Sequence, residues 1–211
     1  MSAAFKQSCR RCERLAGFLK QVKHDYPDYH ARPVAPFGSA QPKLLIVGLA
    51  PGMHGANATG RPFTGDYAGI LLYETLYEFG FSNQPVSTHL GDGLELIDCR
   101  ITNAVKCLPP QNKPTTEEIN TCNEFLRVEL AGLMQKTVVL ALGGIAHKAV
   151  LRALGLKIGA FPFKHGGCYE VDDRLTLLTS YHCSRYNTQT RRLTDKMFKD
   201  IFRQARKLIG K

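Results

Sequence analysis

The chain predicts an α/β fold built on a mostly parallel sheet covered by helices on both faces. Three observations carry this. Four short apolar runs, Lys43–Val47, Arg100–Val105, Thr137–Leu142 and Leu175–Tyr181, have the length and composition of core strands. Helical spacing fills the stretches between them, and strands alternating with helices imply parallel pairing. At 211 residues the chain is long enough for one well-buried domain, 1–211, and needs no second.

The first strand opens the loop Gly48–Asp66, which holds five glycines, two prolines and few polar groups. Glycine lets backbone approach a ligand closely and proline fixes its path. Loops this long inside an α/β unit are commonly functional, and a plain surface connection is the alternative. Its lone aromatic, Phe63, among His54, Asn57, Arg61 and Asp66, suits a flat ligand with polar edges. The segment from Tyr67 to Phe79 follows with helical spacing at Leu72, Leu76 and Phe79. The second strand leads into Asn103–Pro110.

The next helix, Thr115–Met134, starts as a capping box, Thr115-Thr116-Glu117-Glu118. Gly144–Leu154 follows the third strand directly. The fourth strand ends at Ser180-Tyr-His-Cys-Ser-Arg-Tyr-Asn187. The final helix, Asp195–Ile209, is capped by Thr194 and ended by Gly210, with Met197, Phe198, Ile201, Phe202, Ala205 and Leu208 inward. Pro-rich Tyr26–Pro42 reads as an extended lead-in. Ligands in parallel sheets bind at the carboxyl ends of strands. The ends at Gly48, Asn103 and Ser180 therefore converge on one rim.

The 28 basic residues against 18 acidic give a formal charge of +10, which suits a polyanionic partner or a merely solvated surface. No apolar stretch approaches the roughly 20 residues needed to span a bilayer. The opening Met1–Cys9 lacks the apolar core of a signal peptide, so a soluble, cytoplasmic chain is expected. Seven cysteines, an odd number, argue against a disulfide framework in that compartment. Cys9 and Cys12 stand two residues apart with no strand before them, which disfavours a redox motif. Cys107 and Cys122, separated by 14 residues, complete a four-thiolate set suited to zinc or an iron–sulfur cluster. The wide second spacing leans toward a cluster. Cys99, Cys168 and Cys183 read by default as buried, inert thiols, with exposure near the rim the alternative for Cys183.

With these residues in view, the chain resembles the uracil-DNA glycosylase superfamily, most of all its B-type (family 5) enzymes. The matching stretches are Cys9-x2-Cys12-x-Arg14-Leu15, Gly48-Leu-Ala-Pro51, His54-Gly55 with Asn57, Thr59-Gly60-Arg61 and Phe63-Thr-Gly-Asp66. Asp92-Gly-Leu-Glu-Leu96, Cys107-x-Pro-Pro110, Asn112-Lys-Pro114, Ser180-Tyr-His182, Asn187-Thr188 and Arg192-Leu193-Thr194 follow in the same order. The resemblance implies a three-layer α/β/α sandwich around a four-stranded sheet. It implies a [4Fe–4S] cluster on Cys9, Cys12, Cys107 and Cys122, and removal of uracil and hypoxanthine from DNA. The A-type relatives carry an acid after the first glycine of the loop, where this chain has Leu49. Two departures stand out: Cys183 replaces a proline after the histidine, loosening that loop, and Gly52-Met53 replaces a small alanine-like pair.

The expected division of labour follows. Asp66, Asn103 and His182 are the catalytic candidates, with Gly48, Ala50, His54, Asn57 and Phe63 lining the base pocket. Phe63 has core burial as its plain alternative, Asn103 a strand-end cap, and Asp66 a helix cap. Ser184, Arg185, Asn187, Arg191 and Arg192 are candidates for DNA phosphates, and Arg185 or Tyr186 for a wedge into the base stack. The chain is expected to act as a monomer on DNA. An iron–sulfur electron carrier and a nucleotide-binding module are the rivals. The first leaves Asn103 and His182 unexplained, and the second lacks the usual phosphate-loop spelling.

Overall fold

In a computed structural model of the chain, describing residues 5–210, the four apolar runs lie side by side as parallel strands. Met1–Ala4 of the Met1–Cys9 opening and Lys211 lie outside the described residues. The strands are β2 (Leu44–Gly48), β3 (Cys99–Asn103), β4 (Thr137–Leu142) and β6 (Leu175–Ser180). β1 (Phe37–Gly38) joins β3 and β5 (Cys168–Glu170) joins β6, both antiparallel. The sheet therefore has six strands in the order β1-β3-β2-β4-β6-β5, where four were expected. The two additions are short edge strands of two and three residues, below the length at which an apolar pattern shows.

The side-chain alternation of β2 separates the layers. Leu44 and Ile46 pack on one face with Leu72, Leu76, Phe198 and Phe202. Leu45 and Val47 pack on the other with Leu126, Leu130, Ala149 and Val150. The first set brings in α3 (Tyr67–Glu78) and α7 (Asp195–Leu208); the second brings in α4 (Thr116–Ala131) and α5 (Gly144–Ala153). Both faces of the central strands are thus covered, which is why β2 and β4 are buried at every position. This is a three-layer α/β/α sandwich.

α4 carries the full capping box between Thr115 and Glu118 and stops at Ala131, short of Met134, which is highly exposed. α7 is capped by Thr194 as expected, and Gly210 follows it in the left-handed conformation. Met197 is only half-buried and Leu208 is exposed, so the inward face of α7 is narrower than the spacing indicated. α1 (Glu13–Asp25), absent from the expected elements, buries Leu15, Leu19 and Val22 at the i, i+4, i+7 positions of one face. Two short helices interrupt the presumed loops: α2 (Ala56–Thr59) and α6 (Arg185–Gln189).

Between β2 and β4 the strand order reverses. β3 lies on one side of β2, and the chain then recrosses to place β4 on the other. Loops leaving the carboxyl ends diverge at such a point and leave a crevice. The Gly48–Asp66 loop, Asn103 and the end of β6 all border it.

Candidate active site at the carboxyl ends of the strands

Gly48 pairs in register with Asn103 on the neighbouring strand. A Cβ at Gly48 would stand 2.4 Å from the Asn103 Oδ1 and 2.8 Å from the Phe63 ring. Glycine is therefore the residue that lets an amide and an aromatic ring close over the end of β2. Asn103 is buried, and its Oδ1 has no hydrogen-bond partner among the described residues. Buried amide oxygens are normally paired. An orphan at a strand end marks a place where a ligand would supply the donor.

Phe63 adopts a left-handed backbone conformation, φ 56°, uncommon for a non-glycine residue. Several fixed points hold it there. Its carbonyl oxygen lies where only Gly69 leaves room, since a Cβ at Gly69 would approach to 1.7 Å. Tyr73 donates from its hydroxyl to the Pro62 carbonyl at 2.7 Å. Beside it Arg61 is buried, ion-paired with Asp92 at 2.8 Å and donating to the Leu90 carbonyl. Burial opposes ionisation of Asp92. The Thr88 N–H, the Arg61 guanidinium and other backbone N–H groups outweigh it and hold the carboxyl well below its usual range. The result is a Phe63 ring stacked on His182, centroids 5.8 Å apart and planes 25° apart.

His182 begins the segment after β6. Burial alone lowers its pKa to about 4, so the ring is neutral at pH 7. Its Nδ1 is enclosed and has no partner among the described residues. Asn187 donates to the His182 carbonyl at 2.8 Å, and Ser184 caps α6 by accepting from the Asn187 N–H. Cys168, expected to be buried, is exposed, whereas Cys183, between His182 and Ser184, follows its default of burial over exposure at the rim. Its thiol is fully buried in the sheet-facing core and donates to the Ala68 carbonyl at 3.4 Å. Burial pushes this thiol far up, so it is neither exposed at the rim nor poised for oxidation. The contact ties the His182 segment to α3 in place of the stiffness a proline would supply.

Asp66 is the N-cap of α3, its Oδ1 accepting from the Gly69 N–H at 3.0 Å. Its other oxygen faces Gly52 and Gly55, where Cβ atoms would stand 3.4 and 2.6 Å away. Burial raises this carboxyl, and the N–H groups of Gly69 and Ala68 only partly offset that. The cap engages one oxygen and leaves the second turned toward the loop.

These groups line a cavity of about 830 Å³. Phe63, Asp66, Asn103 and His182 converge on it, with Ala50 and His54 on the loop side and Ser184 and Arg185 on the other. Leu49 also faces it, as do Asn112 and Tyr67, which sequence reasoning did not place there. Asn112 has a left-handed φ of 57°, and its place in Asn112-Lys-Pro114 was the available signal. Gly48 lies beneath the cavity wall. Asn57 is buried in α2, with its amide donating to the Met53 carbonyl at 3.4 Å, and braces the loop from behind. Arg191 and Arg192 are exposed away from the cavity, Arg192 lying 4.7 Å over the Tyr181 ring. Arg185 sits 5.8 Å from the Tyr67 ring, and Tyr186 is well exposed beside it.

A second constellation lies at the start of α1. Cys9 and Cys12 precede it, Cys107 follows β3, and Cys122 projects from α4. All four line one small cavity with Phe5, Leu15, Val105 and Phe125. Burial, then the neighbouring Cys122, raises Cys12 to about 11, and burial with the other three thiols raises Cys107 further. The Lys106 N–H donates to the Cys122 sulfur at 3.3 Å. Among the described residues no three such ligands are close enough to share a single metal ion. Arg14 pairs with Glu118 at 2.7 Å and so fastens α1 to the capping box of α4.

A glycine-rich loop, a half-buried neutral histidine and an amide with an unpartnered oxygen meet at the switch point of the parallel sheet of an α/β sandwich. The chain belongs to the uracil DNA glycosylase superfamily, whose family profile matches residues 35–206. It is 46% identical over 208 residues to the type-5 uracil-DNA glycosylase of Thermus thermophilus, covering 96% of this chain and 94% of that protein. The type-5 uracil-DNA glycosylase of Mycobacterium leprae is 44% identical over 96% of the chain and 92% of its own length. That of Pyrobaculum aerophilum is 41% identical over 94% and 88%.

Proposed function

We propose that this protein is a DNA repair enzyme that removes uracil from DNA by hydrolysing the N-glycosidic bond, leaving an abasic site. The orphaned Asn103 amide facing the cavity, with Phe63 and His182 beside it, carries this reading. Extruding a base from the stack costs a few kcal/mol. Stacking on Phe63 would return about 1–3 kcal/mol of that. The Asn103 Oδ1 accepts the imide N–H of uracil, and its amino group donates to the adjacent carbonyl. Hypoxanthine presents the same N–H and carbonyl pair and is read as a second substrate.

Cleavage breaks the bond between C1′ and the base nitrogen, and the electron pair leaves with the base. His182, neutral at pH 7, donates a hydrogen bond to a base carbonyl and stabilises the developing anion as an oxyanion hole does. The loop-facing oxygen of Asp66 orients the water whose oxygen bonds C1′ and balances the positive charge on the sugar. The proton released by that water ends on the base or in solvent. Ala50 and His54 bound the pocket, while Asn57 and Gly48 shape it. Ser184, Arg185, Arg191 and Arg192 take DNA phosphates, with Asn187 positioning His182 and Arg185 or Tyr186 entering the vacated stack.

We infer that Cys9, Cys12, Cys107 and Cys122 hold a [4Fe–4S] cluster. Four thiols from three separate stretches enclosed in one apolar cavity are a donor set of the kind that such a cluster takes. When bound, the cluster would supply a covalent tie among α1, the β3 exit and α4. The protein works as a monomer in the cytoplasm. Oligonucleotides carrying a single uracil, hypoxanthine or ethenocytosine, treated with the protein and then alkali, test the activity. Strand breaks at uracil are expected; none on any substrate overturns it.

A further inference from the structure

Away from the base pocket, a groove of about 1150 Å³ runs along α1, bordered by Lys6, Arg10, Lys20, Lys23, His24 and Arg32. Among the described residues no carboxylate lines it. The side chains of Lys6, Arg10, Lys20 and Arg32 are exposed, and none makes a hydrogen bond or ion pair among the described residues. Some cations elsewhere are neutralised, as Arg11 by Glu124, Arg14 by Glu118, Arg61 by Asp92 and Lys199 by Glu78, but these four of the groove are not. The floor is made of small or apolar residues, Ala16, Gly17, Leu19, Ala31 and Pro33, and the space above Gly17 is open. Unneutralised cations along a groove with an apolar floor are what a polynucleotide strand requires.

The groove is joined to the base pocket by a ridge of aromatic rings. Lys23 at its edge donates to the Tyr29 carbonyl at 2.6 Å. Tyr29 stacks on Tyr26 with centroids 4.7 Å apart, and its hydroxyl meets the His54 Nδ1 at 2.8 Å. His54 lines the base pocket. Tyr26 is exposed and also packs edge-on against His54. A path thus leads from the pocket, over stacked rings able to meet unpaired bases, to a row of cations able to meet phosphates.

We propose that the α1 groove is a second DNA-binding surface, holding the strand that flanks the extruded base, with Tyr26 and Tyr29 as its stacking step. This rests on the DNA reading above and adds a footprint extending well beyond the lesion. The recognised chemistry is the phosphodiester backbone, so the groove is indifferent to sequence and strongly salt-dependent.

The test uses the full-length protein and single-stranded oligonucleotides with one uracil, either short, with three nucleotides on each side, or long, with about fifteen. Wild type is compared with Lys20→Ala/Arg32→Ala and with Tyr26→Ala, residues outside the catalytic pocket. The long substrate should bind wild type at least tenfold more tightly than the short one. The double variant should lose most of that advantage, and its slope of log K against log salt should fall by about 1.4, or ~0.7 per lost phosphate contact. Turnover on the short substrate should be unchanged. Tyr26→Ala should reduce the length advantage without changing the salt slope. Equal affinities of wild type and the double variant for the long substrate overturn the proposal, as does an equal loss on both lengths. If wild type removes uracil from neither length, it is the activity reading that fails.

Discussion

The rim of the sheet and the cysteine corner are built on opposite principles. At the rim every side chain is set by backbone. Gly48 makes room for Asn103 and Phe63, Gly69 fixes the Phe63 carbonyl, and the buried Arg61–Asp92 pair holds the loop from behind. That pocket is shaped by the fold alone, and two of its lining residues carry buried atoms without a partner among the described residues, the Asn103 Oδ1 and His182 Nδ1. At the corner the fixed points are few. Four thiols from three separate stretches meet in a cavity, held by apolar neighbours and the Arg14–Glu118 pair. At the rim preorganisation would supply rate; at the corner a bound group would supply order.

Replacing groups on each side separates those two kinds of dependence. The largest effect is expected at the rim. His182→Ala should lower kcat by about 10²–10³-fold, or ~2.7–4 kcal/mol of transition-state stabilisation, the scale of losing one oxyanion-hole donor. The melting temperature should move little, because His182 makes no side-chain hydrogen bond among the described residues. A large fall in melting temperature with unchanged kcat on uracil-containing DNA would reverse the assignment.

Cys107→Ser should behave in the opposite way. The expected outcome is loss of broad visible absorbance together with about 3 kcal/mol of stability, as for loss of a structural metal group. For a domain of this size that is a fall of roughly 6–12 °C in Tm. Single-turnover cleavage by the fraction still folded should persist. A Cys107→Ser protein that keeps its colour and its Tm would remove the corner from the account.

Asp66 stands between the two principles, since it caps a helix and faces the pocket at once. Asparagine caps nearly as well as aspartate, so Asp66→Asn should leave Tm within a few degrees while removing the charge. Activity should fall about 10²-fold if the loop-facing oxygen orients water, on the scale of other positioned acid–base groups. Activity close to wild type would leave Asp66 as a cap only.

Much of this was legible in the residues, and the limits have physical causes. The four parallel strands announce themselves because burial on both faces demands unbroken apolar runs. β1 and β5 do not, being edge strands held by two or three ladder positions. α1 carries its signal in Leu15, Leu19 and Val22, but that stripe is short and begins just after a cysteine pair whose spacing signals metal chemistry instead. Burial of Cys183 was the default for such a thiol, but its partner could not be read from its neighbours, because the Ala68 carbonyl it meets lies 115 residues away. Asn57 shares the loop with Phe63 but points behind it, since α2 turns the chain between them. Spacing along a loop says which residues are available, and only the turns within it decide which face the ligand.

The smallest expected effect is on the pH dependence of stability. Burial depresses His182 from an ordinary value near 6.5 to about 4 in the folded protein. Between those values the unfolded chain binds a proton there that the folded chain does not, so stability falls as pH drops through this window. His30, His147 and His165 are lowered for the same reason and act in the same direction. Asp66, raised by burial, opposes them, because its folded form holds a proton at pH values where the unfolded form has lost it. The sum favours acid destabilisation, with His182 the deepest single contributor at the rim. Thermal melts at pH 7 and pH 5 should therefore show a smaller drop for His182→Asn than for wild type. An equal drop in both would mean that the ring is hydrated in solution and that the pocket is less enclosed than its unpartnered nitrogen implies.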